Sequence, residues 1–280
     1  MNRLPLSSIT DDAVRSYAED GAVCLRQMFD REWCDRMAAA AMRYMQENTW
    51  RMRQVRKEGE DARFYISTFM CHKDPDFLAL REQSPMAEIA ARLMQVEKVR
   101  FFYDQLFVKE AGTSAVTQWH QDLPFWPMQG GDIASVWLAL TPVSRESSGV
   151  EYIAGSHRWG KFYRAVTPDE DQGFTDGSLE TCPDFSGRYH DPGLRFLSWK
   201  LEPGDVVCHH PLTVHGARGN SSPSQVRIGV SLRYLGNDVR WDPRKHVMPL
   251  PEQPAVAPGE YPADDRVFPP IWSRAGGLLR

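Results

Sequence analysis

The chain has 280 residues, 42% hydrophobic, 11% aromatic and 25% charged, which is the composition of an ordinary folded protein. Its formal charge of −4 gives no electrostatic pull toward nucleic acid or an acidic membrane surface, and no apolar run approaches the length of a membrane span. The five cysteines are widely spaced with no C-x-x-C pair, which argues against a disulfide framework or structural zinc; with no apolar signal segment after Met1, a cytoplasmic setting is expected.

In chain order, Thr10-Asp11-Asp12 caps a short helix that Gly21 ends, and Ala22 to Leu25 reads as a strand. Asp30 caps a longer helix from Arg31 to about Gln46. The charged segment Asn48 to Asp61 reads as a surface excursion or a flap over a site, and Asp76 to about Met94 as one or two helices. From Val99 the texture turns to β. A long aromatic strand runs to Lys109, followed by strands at Thr117–Leu123, Ile133–Leu140, Val150–Ile153, Asp205–Cys208 and Arg227–Tyr234. Trp159 to Leu201 is a polar insert, expected as a lid, in which Lys161, Arg164 and Arg188 could meet an anionic substrate or solvent. Eight prolines between Trp241 and Pro270 suggest an extended surface wrap that could serve a homodimer contact. The expected architecture is one domain over 1–280, mainly β with flanking helices. A helical part (1–97) precedes a double-stranded β-helix, or jelly roll (98–240), and a Pro-rich tail follows (241–280).

The chemistry concentrates in Trp119-His120-Gln121-Asp122. In a strand, residues two apart leave one face, so His120 and Asp122 would point into one cavity. A lone His215 follows the strand at Asp205–Cys208 after a short turn. Two imidazoles and one carboxylate cover one triangular face of a metal and leave the rest open, the arrangement of non-haem Fe(II) oxygenases. Such a site accepts O2 and a chelating 2-oxoglutarate, whose far carboxylate needs a fixed cation. Arg227 is the candidate, and Arg233, of the same strand parity, is its rival. His209 and His210 are the main decoys for His215, expected to be one packed and one exposed.

The ordered set of these motifs resembles the phytanoyl-CoA dioxygenase family of Fe(II)/2-oxoglutarate oxygenases. The resemblance runs from Tyr17-Ala18-Glu19-Asp20-Gly21 through the His120 motif, Ser135-Val136-Trp137-Leu138 and Ser148-Gly149-Val150-Glu151 to Gly204-Asp205-Val206, His215-Gly216 and Arg227. It implies that His120, Asp122 and His215 are the catalytic iron ligands and that Arg227 holds 2-oxoglutarate, with Gln121 and Trp137 near the cosubstrate. Gln105 is added as a cavity neighbour because it shares a strand face with Tyr103. Ala154 departs from the family's usual proline before Gly155-Ser156-His157, which concerns a turn rather than the metal. The presence of Asp122 speaks against halogenating relatives, which lack that carboxylate. His157 is read as a loop lock or a substrate contact, and Phe125 and Trp126 as shaping the substrate mouth.

The reaction this implies is hydroxylation of a small-molecule metabolite with release of succinate and CO2. The same iron site could serve desaturation, epoxidation or rearrangement in natural-product biosynthesis. A catalytically silent jelly-roll binding protein is the alternative from a different class.

Overall fold

The computed structural model describes residues 1–47, 50–166 and 177–279. Four helices form in the first third. Helix α1 (Asp11–Asp20) starts at Thr10, whose hydroxyl accepts from the Ala13 N–H at 3.2 Å, and ends at Gly21 with φ 77°. A side chain at Gly21 would also collide with His157 and Thr213, each 2.4 Å from the Cβ position, so this turn needs glycine twice over. Helix α2 (Arg31–Glu47) begins at Asp30, whose carboxylate accepts from the Trp33 N–H. The segment expected as one or two helices is two, α3 (Pro75–Gln83) and α4 (Met86–Met94). The break falls at Ser84-Pro85, because proline disfavours helical backbone at the residue before it.

The strands are β1 (Ala22–Leu25), β2 (Met52–Arg56), β3 (Arg63–Thr68), β4 (Lys98–Lys109), β5 (Thr117–His120), β6 (Met128–Gln129), β7 (Ile133–Ala139), β8 (Val150–Ile153), β9 (Phe196–Leu197), β10 (Val206–His209), β11 (His215–Ala217), β12 (Arg227–Leu235), β13 (Arg240–Trp241), β14 (Pro270–Ser273) and β15 (Gly277–Leu278). The larger sheet runs β1-β10-β7-β12-β4-β14-β15, with β3 also on β4 and β2 on β3; the smaller runs β5-β11-β8-β9. All recorded strand pairs are antiparallel, and together they form the expected jelly roll.

Alternation along the larger sheet separates two environments. Ile228, Val230, Leu232 and Tyr234 of β12 pack on the helices with Val206 and Cys208 of β10 and Val136 and Leu138 of β7. The intervening residues, Arg227, Ser231, Arg233, His209 and Trp137 among them, line the space between the sheets. The fold thus puts charged and aromatic side chains on the face that a sheet-on-helix core would exclude.

Two expectations change here. Met52–Arg56, within the charged segment read as an excursion or a flap, is a strand paired with Arg63–Thr68 in register Val55↔Phe64, and its Met52 and Arg53 line the cavity between the sheets; Asn48 and Thr49 lie outside the described residues. The Pro-rich tail is more than a wrap, since Pro270–Ser273 pairs with β4. Proline tolerates the first position of a strand, where its missing N–H costs no ladder bond. Within the insert expected as a lid, Phe196–Leu197 pairs with β8, while residues 167–176 lie outside the described residues. No helix among the described residues is long and apolar enough to cross a membrane.

Candidate active site

Strands β5 and β11 are neighbours whose register sets His120 opposite His215. Opposed residues are the closest side-chain pairs in a sheet, and the two ring centroids are 4.2 Å apart. Asp122 arrives by another route. The strand expected to run to Leu123 ends at His120, and Asp122 adopts φ −76°, ψ −41° ahead of the 3-10 turn Leu123–Phe125. Its N–H donates to Pro211 O at 2.9 Å. A turn anchored on the His215 side, rather than strand alternation, therefore brings the carboxylate to the imidazoles. Asp122 Oδ1 stands 3.5 Å from His120 Nε2 and 3.8 Å from His215 Nε2, and the three ligand atoms lie within 4.8 Å of one another.

Each ring is fixed through its other nitrogen. His120 Nδ1 is 2.7 Å from Gln118 O, and His215 Nδ1 is 2.9 Å from Thr213 O. A carbonyl oxygen only accepts, so Nδ1 carries the proton in both rings and the Nε2 lone pairs face Asp122. Burial, reinforced by His120 and His209, pushes the pKa of His215 well below its ordinary value and keeps it neutral. Burial alone would raise the pKa of Asp122; the hydrogen bond with His209 and the charge of Arg233 oppose it, and the carboxyl is held well below its ordinary range. Two neutral nitrogen donors and one carboxylate oxygen fit a divalent first-row metal, and the orienting bonds on the far side of each ring are those a ligating histidine needs.

Arg227 lies on the same cavity and is 2% exposed. Its Nη2 donates to Ser148 O at 3.2 Å, its guanidinium lies 5.7 Å from the Trp137 ring, and Nε has no partner. Among the described residues it has no carboxylate in ion-pair range, and burial lowers its pKa to about 10. An isolated buried cation is costly unless a bound anion compensates it, so Arg227 fits an acidic ligand. The cavity measures about 470 Å³, within the usual range for small-molecule sites.

His120, Asp122, His215, Arg227, Trp137 and Gln105 all line that cavity, with Phe125 and Trp126. Gln121 does not. Its amide nitrogen donates to Lys161 O and Leu212 O, and its oxygen accepts from the Tyr163 N–H, each at 3.0 Å, so the side chain is spent on holding loops. His157 locks a loop, with Nε2 3.1 Å from Ala18 O. Lys161 pairs with Glu180, Arg164 bonds Thr181 and Arg188 pairs with Asp191, all within the insert.

The residues that sequence reasoning placed poorly surround Asp122. Of the two decoys, expected as one packed and one exposed, His209 is buried and His210 half-buried; the His209 ring is 4.6 Å from that of His215 and its Nε2 3.2 Å from Asp122 Oδ2. Arg233, the rival to Arg227, stands 3.9 Å from the same oxygen and 4.6 Å from the Tyr103 ring. Ser135 was not singled out, yet its hydroxyl donates to Asp122 Oδ2 at 3.1 Å. Tyr152 stacks on His215 at 5.5 Å. Strand pairing was the missing signal, because Tyr152 is the register partner of His215 and Ser135 that of His209.

Two antiparallel sheets enclosing a pair of histidines, one buried and one half-buried, a buried carboxylate and a buried arginine define the class, a jelly-roll metalloenzyme of the two-histidine, one-carboxylate kind. A family model described as phytanoyl-CoA dioxygenase (PhyH) matches residues 17–229. The chain belongs to this family of Fe(II)- and 2-oxoglutarate-dependent oxygenases. It is 25% identical over 121 residues to a probable phytanoyl-CoA dioxygenase of Caenorhabditis elegans, covering 43% of this chain and 36% of that protein, so the match spans only about a third of the relative's length. A multifunctional dioxygenase of Penicillium brasilianum is 21% identical over 251 residues, covering 86% of this chain and 77% of the relative. The crystal structure of a non-haem, α-ketoglutarate-dependent carbocyclase from nogalamycin biosynthesis superposes with a TM-score of 0.73 at 24% identity, covering 96% of this chain and 99% of that one, a likeness of fold.

Proposed function

We propose that this protein hydroxylates a small-molecule metabolite at the expense of O2 and 2-oxoglutarate, releasing succinate and CO2. His120 Nε2, His215 Nε2 and Asp122 Oδ1 would hold Fe(II), and Arg227 would hold the distal carboxylate of 2-oxoglutarate. The observation that carries this reading is the convergence of two Nε2 lone pairs and Asp122 Oδ1 in the same cavity as a buried arginine with no counter-charge among the described residues. Bound there, iron supplies the redox chemistry that activates O2.

The chain's own contribution is placement and dryness. Gln118 and Thr213 carbonyls fix the tautomer of the two imidazoles. Trp137 forms the floor under the Arg227 guanidinium, and Tyr152 backs His215. Aromatic side chains such as Tyr103, Phe107 and Trp126 line the remaining wall and exclude water from the reacting centre.

Succinate formation from 2-oxoglutarate with iron and ascorbate tests the reading. Wild type is expected to turn over, and His120→Ala to lose activity by roughly a hundredfold or more while keeping its circular dichroism, as for removal of a metal ligand. Unimpaired turnover in that variant would rule out the ligand assignment, and no turnover in iron-loaded wild type would favour the silent binding protein. Desaturation, epoxidation or rearrangement would use the same residues, and the mass of the product separates them from hydroxylation.

A further inference from the structure

Asp122 shows its two oxygens to two different sets of neighbours. Oδ1 faces His120 and His215 at 3.5 and 3.8 Å. Oδ2 faces the larger sheet, where Ser135 Oγ donates at 3.1 Å, His209 Nε2 lies at 3.2 Å and Arg233 Nη2 at 3.9 Å. These three residues sit on three adjacent strands, with Ser135 the register partner of His209 on one side and of Arg233 on the other. All are buried: 0%, 4% and 2% exposed in that order.

The orientation of His209 follows from what surrounds its other nitrogen. Nδ1 is buried without a partner. A proton there would be an orphaned donor, whereas a proton on Nε2 meets Asp122 Oδ2, so Nε2 is the donor. The Nε2 lone pair is then unavailable to a cation, which distinguishes His209 from His120 and His215, whose Nε2 atoms are free.

We propose that His209 is a positioning residue of the metal centre: with Ser135 and Arg233 it occupies Asp122 Oδ2, so that the carboxylate offers the cation Oδ1 alone. This rests on the iron site proposed above. An unrestrained carboxylate can swing and bind through both oxygens, taking a coordination position that a chelating cosubstrate or O2 needs. Holding one oxygen on the sheet prevents that and pre-orients the other. Two donors and a buried guanidinium at ion-pair distance, from three adjacent strands, restrain that oxygen.

The test uses Co(II) as probe on metal-free full-length protein. Affinity is measured by competition with a chelator, coordination by the visible Co(II) spectrum, and folding by circular dichroism. His209→Leu removes the donor, His209→Gln keeps an N–H near the position of Nε2, and Ser135→Ala removes the second donor with little change of volume. His209→Leu should weaken Co(II) binding by about 10–100-fold, the usual cost of losing an outer hydrogen bond to a ligand. His209→Gln should restore most of the affinity and the wild-type spectrum, and Ser135→Ala should weaken binding in the same direction. Wild-type affinity in His209→Leu overturns the proposal, as does equal loss in the Leu and Gln variants, which would make the imidazole itself a ligand. Should His209→Leu not fold, unchanged Co(II) affinity in Ser135→Ala also overturns it. Failure of wild type to bind Co(II) is a different result, because it removes the iron site itself and this inference with it.

Discussion

Gly229 and Trp137 claim the same space: a Cβ on Gly229 would stand 1.9 Å from Trp137 Cζ2. Gly229 lies between Arg227 and Ser231 on the cavity face of β12, and the indole fills the gap it leaves under the Arg227 guanidinium. The glycine is thus part of the floor of the site, through the room it makes.

Gly229→Ala should therefore push Trp137 off its position and tilt Arg227. Overpacking of this kind costs about 1–3 kcal/mol of stability. Misplacement of a gripping residue should raise the 2-oxoglutarate KM by roughly tenfold or more, with Co(II) affinity unchanged because none of the three clustered ligand atoms touches the indole. Titration of both ligands against one sample separates the effects, and an unaltered 2-oxoglutarate KM would show that Trp137 does not support Arg227.

Arg227 itself should trade stability for binding. Its buried charge has no acidic partner among the described residues, so Arg227→Met should stabilise the ligand-free protein by about 1–2 kcal/mol. The same change should cost roughly a hundredfold in 2-oxoglutarate affinity, the usual effect of deleting one member of a buried charge pair. Melting curves with and without 2-oxoglutarate decide this. The variant should start higher and gain nothing from the ligand, and a retained ligand-induced rise would move the grip to another residue, with Arg233 the first candidate.

Asp104 predicts a pH dependence unconnected with catalysis. It projects from β4 toward the helices, and one oxygen accepts from the Cys71 N–H at 2.9 Å while the other has no partner. Burial pushes its pKa up to about 6, whereas the unfolded chain titrates near about 3.9. The folded state thus holds a proton that the unfolded state has released, and this contribution is full below about pH 4 and lost as the pH rises through about 6. Asp104→Asn should remove that slope and stabilise the protein at pH 8 by about 2–3 kcal/mol, with little effect at pH 4. Denaturant titrations of both proteins at the two pH values check it, and parallel profiles would contradict the burial argument.

How much of this was legible before the fold was known depended on what each element asks of its residues. The triad was legible because few residue types bind a ferrous ion and their order along the chain is distinctive. Its geometry was not, since the helical backbone of Asp122 comes from an anchor on Pro211, 89 positions away in the loop between β10 and β11 (211 − 122 = 89). Strand β2 was hidden because Val55 is its one buried residue, so no alternation of apolar and polar positions marks it. Strand β14 was hidden behind the proline that opens it. His209 and His210 are adjacent and chemically identical on paper. Only the sheet decides that the first faces Asp122 and the second packs near His157.

The central claim is tested most directly by anaerobic titration of Fe(II) into metal-free protein in the presence of 2-oxoglutarate. The visible charge-transfer band of a chelated α-keto acid serves as the signal. One equivalent of iron should saturate the band in wild type, and the double variant His120→Ala/His215→Ala, shown folded by circular dichroism, should give none. Stoichiometric iron binding with the same band in the double variant would place the metal elsewhere and contradict the account.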